Sequence, residues 1–183
     1  MKELTIAVVG ATGAVGQEIL KVMAERKIPY KELRLLASAR SAGTQIEYQG
    51  KTYTVQETTE NSFDDVDLAL FAGGPASRAF GRLAQSKGCV VIDNSSTFRL
   101  EPDVPLVVPE VNPEALKDHK GLIANPNCST ILLVSALYFP SYDFEPHSNT
   151  TLSTPIPGTP LSTSGSYTST LILYDSLPNK PND

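Results

Sequence analysis

Tryptophan is absent from this chain of 183 residues, and methionine, histidine and cysteine occur twice each. The two cysteines, Cys89 and Cys128, stand 39 positions apart and do not suggest a zinc cluster or a disulfide framework. No metal site is expected. Basic residues are not in excess: the formal net charge is -5, which removes the electrostatic case for nucleic acid or an anionic membrane as partner. No stretch approaches the roughly 18 apolar residues of a membrane span. The first residues, MKELTIAVVGATG, have only a short apolar run, preceded by Glu3 and broken by glycine, so they do not read as a signal peptide. A reducing, cytoplasmic compartment is the expectation.

What is present suits a soluble globular domain, with 40% hydrophobic and 19% charged residues. Leu4 to Val9 (LTIAVV) is a short, nearly all-apolar run, the pattern of a strand buried on both faces. A helix with Ile19, Leu20, Val22 and Met23 at helical spacing follows. Leu33–Ala37, Val66–Phe71, Cys89–Ile92 and Gly121–Ala124 read as further strands, with Leu106–Val108 a candidate. Gln45 to Gln56 alternates and breaks at Gln49-Gly50, which reads as a hairpin. Pro75 to Lys87 reads as a helix burying Ala76, Ala79, Phe80, Leu83 and Ala84. Asn112 is expected to cap a short helix beginning at Pro113, and Ser129–Leu137 is the last helix. Strands alternating with helices predict a doubly wound α/β sheet.

The character changes after Leu137. Residues 138–183 hold 8 Ser, 7 Thr and 7 Pro in 46 positions, with no persistent period. Such composition buries too little apolar surface to offset chain entropy. An irregular, disordered tail is expected there.

Three loops carry candidate chemistry. GATGAVG places Gly10, Gly13 and Gly16 between the first strand and first helix, where backbone N–H groups and the helix dipole suit a pyrophosphate. The spacing is G-x-x-G-x-x-G and lacks the lysine of a P-loop. After the second strand comes Ser38-Ala39-Arg40-Ser41-Ala42-Gly43, with no carboxylate to accept from a ribose 2′-hydroxyl. Arg40, Ser38 and Ser41 suit a 2′-phosphate, so NADP is preferred over NAD. Gly73 and Gly74, in AGGPASR, follow another strand. DNSSTFR, Asp93 to Arg99, offers hydrogen-bonding groups and an arginine that could grip a carboxylate or phosphate; an ordinary capped turn is the other reading. Cys128, in ANPNCSTI, follows a turn and opens a helix. That position favours a reactive thiolate, yet a small buried hydrophobe would fit as well. Cys89 begins an apolar strand and reads as structural.

GATGAVG, SARSAG, FAGG, DNSSTFR with the following VPLVVPEVNP, and NPNCST, in this order and spacing, resemble aspartate-semialdehyde dehydrogenase. The resemblance covers residues 1 to about 137. It implies a Rossmann-like, mostly parallel NADP-binding domain over 1–127, the start of a catalytic-domain helix over 128–137, and the irregular tail over 138–183. It also implies reductive dephosphorylation of an acyl phosphate, L-aspartyl 4-phosphate, to aspartate semialdehyde, a step toward lysine, methionine and threonine. Cys128 would form the thioester and Arg99 would contact the substrate phosphate. Gly10, Thr12, Gly13, Ala14, Val15, Ser38, Arg40, Ser41 and Gly73 match the cofactor loops, and Asn94 would lie beside the nicotinamide. N-acetyl-glutamyl-phosphate reductases share the fold and chemistry and stay an alternative.

The chain departs from the family after the cysteine helix. The family's glutamine, glycine-rich turn, second basic site and catalytic histidine have no counterpart in 138–183, a break that an out-of-frame translation would also leave. His119 reads as a surface residue, and His147 lies in the tail. The expectation is a truncated, inactive chain or a non-catalytic NADP-binding fragment, without the family's usual homodimer, whose interface lies mostly in the absent part.

Overall fold

The computed structural model describes residues 4–138. The tail composition, His147 and all but the first residue of 138–183 lie outside that range. Among the described residues eight strands and three α-helices run in the order β1 (Leu4–Val9), α1 (Ala14–Glu25), β2 (Tyr30–Ala37), β3 (Gln45–Tyr48), β4 (Lys51–Thr54), β5 (Gln56–Glu57), β6 (Leu68–Phe71), α2 (Gly74–Ser86), β7 (Val90–Asp93), β8 (Leu122–Ala124) and α3 (Cys128–Tyr138). Six of the strands form one sheet in the order β5-β2-β1-β6-β7-β8, and every pairing in it is parallel.

Alternation along the strands divides the core between the two faces of this sheet. Ile6, Val8, Leu35, Leu70 and Ile92 point to one face and meet Ile19, Leu20 and Met23 of α1. Ala7, Val9, Leu36, Ala69, Phe71 and Val91 point to the other and pack with Phe63, Ala84, Phe80 and Leu83 of the α2 side. The central strands β1 and β6 are therefore covered on both faces, which is why their sequences are apolar without a break. Helix on one face and helix on the other gives the doubly wound, Rossmann-like arrangement that the alternation of segments predicts.

β3 and β4 form a separate antiparallel hairpin with Tyr48 opposite Lys51. Gln49 and Gly50, at φ 49° and 75°, make the two-residue turn. Positive φ at both central positions is the hand that matches strand twist. The hairpin is held to the sheet by a tyrosine cluster. The Tyr48 ring lies 6.2 Å from those of both Tyr30 and Tyr53. Burial among these rings pushes the Tyr48 phenol up to about 12.

Several segments differ from expectation, each for a physical reason. β2 begins at Tyr30, three residues early, because its exposed Lys31 and Glu32 hide the strand in the sequence. Leu106–Val108 makes only a single parallel bridge, Leu106 to Ala124, since Pro105 and Pro109 at its ends cannot donate to a ladder. On α2 the fully buried face is Ser77, Gly81 and Ala84, and Ala79 is exposed. The segment after Asn112 is a 3-10 turn, Pro113–Asp118. Asn112 does not cap it. Its side chain accepts from Val108 N at 2.8 Å and donates to Leu106 O at 3.1 Å, tying the turn back to the preceding segment.

His119 is a correction as well. It is half-buried, and its Nδ1 accepts the Gly121 N–H at 3.0 Å, at the entry to β8. Burial holds its pKa below the ordinary 6.5. The unfolded chain then binds the proton more readily than the folded one, so stability falls as pH drops through 6.5 and below. His119→Asn keeps an acceptor for Gly121 and cannot titrate. Urea unfolding at pH 7.5 and 5.5 should show a smaller acid loss in this variant than in the native chain.

Candidate active site

Because the six strands are parallel, their carboxyl ends lie along one edge, and five loops converge there. β1 is the topological switch point: the chain winds outward from it to β2 and β5, and on its other side to β6, β7 and β8. Crevices at that point and edge are where open α/β sheets hold ligands.

The loop after β1 is closed by backbone bonds. Gly10 N and Ala11 N both donate to Leu36 O, at 2.8 and 3.1 Å. Gly10 sits at φ 86°, a left-handed value natural to glycine. Gly16 has a different reason. A Cβ there would lie 2.2 Å from Gly10 O, so only glycine lets α1 pack so close to the loop. Gly13 occupies the cap position of α1 without a side-chain bond, and the first turn carries no acid. Thr12, Gly13 and Ala14 are exposed. The amino end of α1, with its unshared N–H groups and positive dipole, therefore faces the crevice open to an anion. A Cβ on Gly10 would stand 3.4 Å from Ala72, so the loop after β6 lies alongside. That loop brings Gly73 to the amino end of α2.

On the β2 side, Ser38 to Ser41 forms a single 3-10 turn, with Ser41 N donating to Ser38 O at 2.8 Å. Ser38 and Arg40 are exposed, and the Arg40 guanidinium has no partner among the described residues. On the β7 side, Asn94 donates from Nδ2 to Phe71 O at 3.0 Å and accepts from Asn125 Nδ2 at 2.8 Å. Arg99 is half-buried and spans the ends of β7 and β8: its Nε donates to Asn125 O at 3.0 Å and its Nη2 to Asn94 O at 3.1 Å. Nη1 stays without a partner among the described residues.

Cys128 is exposed and is the first residue of α3. Asn127 caps the helix, accepting Ser129 N at 3.0 Å on Oδ1, which also lies 3.9 Å from the Cys128 Sγ. Cys89 is buried, its Sγ 3.5 Å from Phe63 O, as a structural cysteine should be. The structure thus places every sequence-predicted site residue on the one edge. Arg40 and Cys128 are not neighbours. Four strand spacings, about 19 Å, separate the ends of β2 and β8. Two groups of the site carry no remark in the sequence, Ser77 and the Asp93 carboxylate, and Asn125 reads there only as turn chemistry. Ser77 left one signal, a polar residue on an otherwise small and apolar helix face.

A parallel sheet with a glycine-rich loop at its switch point defines a Rossmann-like α/β domain, and an exposed cysteine stands at the same edge. Residues 5–119 match the family model described as semialdehyde dehydrogenase, NAD binding domain. The chain belongs to the semialdehyde dehydrogenase family. It is 55% identical over 137 residues to the aspartate-semialdehyde dehydrogenase of Prochlorococcus marinus, covering 74% of this chain and 40% of that protein. To the Aquifex aeolicus aspartate-semialdehyde dehydrogenase it is 56% identical over 142 residues, covering 75% and 42%. The crystal structure of aspartate semialdehyde dehydrogenase II from Vibrio cholerae, complexed with ASA, superposes with a TM-score of 0.73 at 49% identity, over 78% of this chain and 48% of that one. The Candida albicans enzyme with NADP gives 0.60 at 26% identity, over 79% and 48%. The chain therefore spans about two fifths of the length of the curated relatives it matches. Among the described residues no helix is long and apolar enough to cross a membrane, and no group of three metal-ligating side chains occurs.

Two outcomes follow from this geometry. A thiol reagent should modify Cys128 rapidly in the folded chain and Cys89 only on unfolding, as peptide mass mapping would show. Gly16→Ala should cost about 3 kcal/mol, the upper range for overpacking against fixed neighbours. Denaturant midpoints check this, and an unchanged midpoint would contradict the close approach to Gly10.

Proposed function

We propose that residues 1–127 bind NADP across the switch point and that Cys128 is the nucleophile of an aspartate-semialdehyde dehydrogenase site. The observation that carries this is the convergence of the glycine loop, the Arg40 turn, Arg99 and Cys128 on one sheet edge.

The residues present fit the cofactor. The amino end of α1, free of acid and with Gly16 allowing its close approach, suits a pyrophosphate. Gly10, Thr12, Gly13, Ala14 and Val15 line that end, and Gly73 flanks it. Arg40, unpaired and followed by Ser41, suits a 2′-phosphate, with Ser38 beside it. Asn94, held by Phe71 O and Asn125, would orient the carboxamide of the nicotinamide. When bound, NADPH supplies a hydride.

The protein's own chemistry is covalent. The Cys128 thiolate attacks the acyl carbon of L-aspartyl 4-phosphate. The S–C bond forms as the C–O bond to phosphate breaks, and the phosphate leaves with the bond electrons. Arg99, with Nη1 free, holds that phosphate. Backbone N–H groups at the start of α3 stabilise the oxyanion that develops. Reduction of the thioester gives a thiohemiacetal on Cys128, and its collapse releases aspartate semialdehyde and restores the thiolate.

One proton must reach and leave the substrate oxygen in this cycle. His119, the one histidine among the described residues, sits at the entry to β8 with Nδ1 engaged by Gly121 and is not placed for that task. The described residues support cofactor binding and thiol acylation, and none of them is assigned that proton.

Calorimetric titration tests the cofactor part. NADP should bind more tightly than NAD, and Arg40→Ala should remove about tenfold or more of the NADP affinity, the scale of one charge-assisted hydrogen bond. Equal affinities for both nucleotides would contradict the role of Arg40. With aspartate semialdehyde, phosphate and NADP, any NADPH absorbance that develops in the native chain should vanish in Cys128→Ala. An equal rate in both would contradict the nucleophile.

A further inference from the structure

The Asp93 carboxylate has no part in the chemistry above, yet it is wholly buried at the carboxyl end of β7. A buried carboxylate persists only where donors compensate its lost hydration. Here they come from two directions. Ser77 Oγ, itself fully buried on α2, donates to Oδ1. Ser95 donates to Oδ2 from its hydroxyl at 2.7 Å and to Oδ1 from its backbone N–H at 3.2 Å. The same hydroxyl lies 2.9 Å from Gly73 O, which also accepts the Ser77 N–H at 3.0 Å, so Ser77 ties the carboxylate to the amino end of α2.

The network continues on both sides. Thr97 N donates to Ser95 Oγ at 3.1 Å, and the Thr97 hydroxyl reaches toward Gly74 O at 3.4 Å. Asp93 O accepts the Asn125 N–H at 2.8 Å. Farther along the loop, Phe98 packs on Gly81, where a Cβ would meet the ring at 2.6 Å. Arg82 stacks 5.5 Å above the same ring and pairs with Asp103 through both terminal nitrogens, at 2.8 and 2.9 Å. Arg99 follows directly. Its backbone is thus held against α2 on one side through Phe98 and on the other through Ser95 and Asp93.

We infer that Asp93, with Ser77 and Ser95, is a positioning residue: it fixes the Arg99 loop against the amino end of α2, so that anion affinity at Arg99 depends on a carboxylate that does not touch the anion. Ser77 and Ser95 are the two arms of this clamp, and Asp93 is the fulcrum between the glycine turn at Gly73 and the arginine. The inference rests on the proposed role of Arg99 as holder of the phosphate.

Isothermal titration of the full chain with inorganic phosphate tests it. The native chain should bind phosphate, and Arg99→Ala should not. Asp93→Asn and Ser95→Ala should each weaken binding by roughly tenfold, the scale on which removing an outer partner loosens a bound group. Ser95→Thr keeps the hydroxyl and should restore it. Ile46→Ala, in the hairpin core away from this loop, should lower the unfolding midpoint and leave phosphate affinity unchanged, which separates positioning from general loosening. Should Asp93→Asn fail to fold by circular dichroism, the half-buried Ser95 variants decide alone. Native phosphate affinity in folded Asp93→Asn, or in Ser95→Ala, overturns the inference. Phosphate binding absent from the native chain, or untouched by Arg99→Ala, overturns the reading of Arg99 on which it stands.

Discussion

The parallel direction of six strands is the constraint on which everything else in this molecule depends. A parallel strand must return by a crossover, and crossovers place α1 and α2 on the two faces of the sheet. Both faces of β1 and β6 are then buried, which demands their unbroken apolar sequences. The same direction puts the ends of β1, β2, β6, β7 and β8 on one edge. Five loops with no sequence similarity to one another become neighbours without any further instruction.

Glycine then decides how close those neighbours come. At Gly16 a single added carbon would strike the Gly10 carbonyl, so α1 could not sit so tightly over the turn. At Gly81 the ring of Phe98 occupies the space of a side chain and brings the arginine loop onto α2. Close packing at these two points sets the two halves of the edge, with the amino end of α1 in one and Arg99 in the other. Between them lies the buried carboxylate of Asp93, whose donors belong to both α2 and the loop that leads to Arg99.

Much of this was legible in the sequence because the signals were local. The runs LTIAVV and LALF, the Gln49-Gly50 turn and the glycine spacing each carry their own physics within a few residues. Positions that depend on distant neighbours were harder to read. Asn112 suits a helix cap by type, but the Val108 and Leu106 backbone 4 and 6 residues earlier uses its side chain instead. His119 looked exposed because nothing nearby in sequence shows that Gly121 turns back onto its Nδ1. Lys31 and Glu32 disguise the start of β2, where β1 pairs on one side but β5 reaches only Leu36 and Ala37 on the other, so the strand can carry charge there. Ser77 and Asp93 meet across 16 positions, and only the folded sheet reveals that one explains the other. The exposed Leu132, Leu133 and Leu137 on α3 likewise report a helix whose apolar composition exceeds what the described residues cover.

Hydrogen exchange with and without NADP, resolved by peptide, tests the central claim most directly. Cofactor across the switch point should slow exchange together at residues 10–17, 38–43 and 73–77, while the tyrosine cluster of the hairpin keeps its rate. Protection confined to another surface, or no protection at these three loops when NADP is saturating, would contradict it.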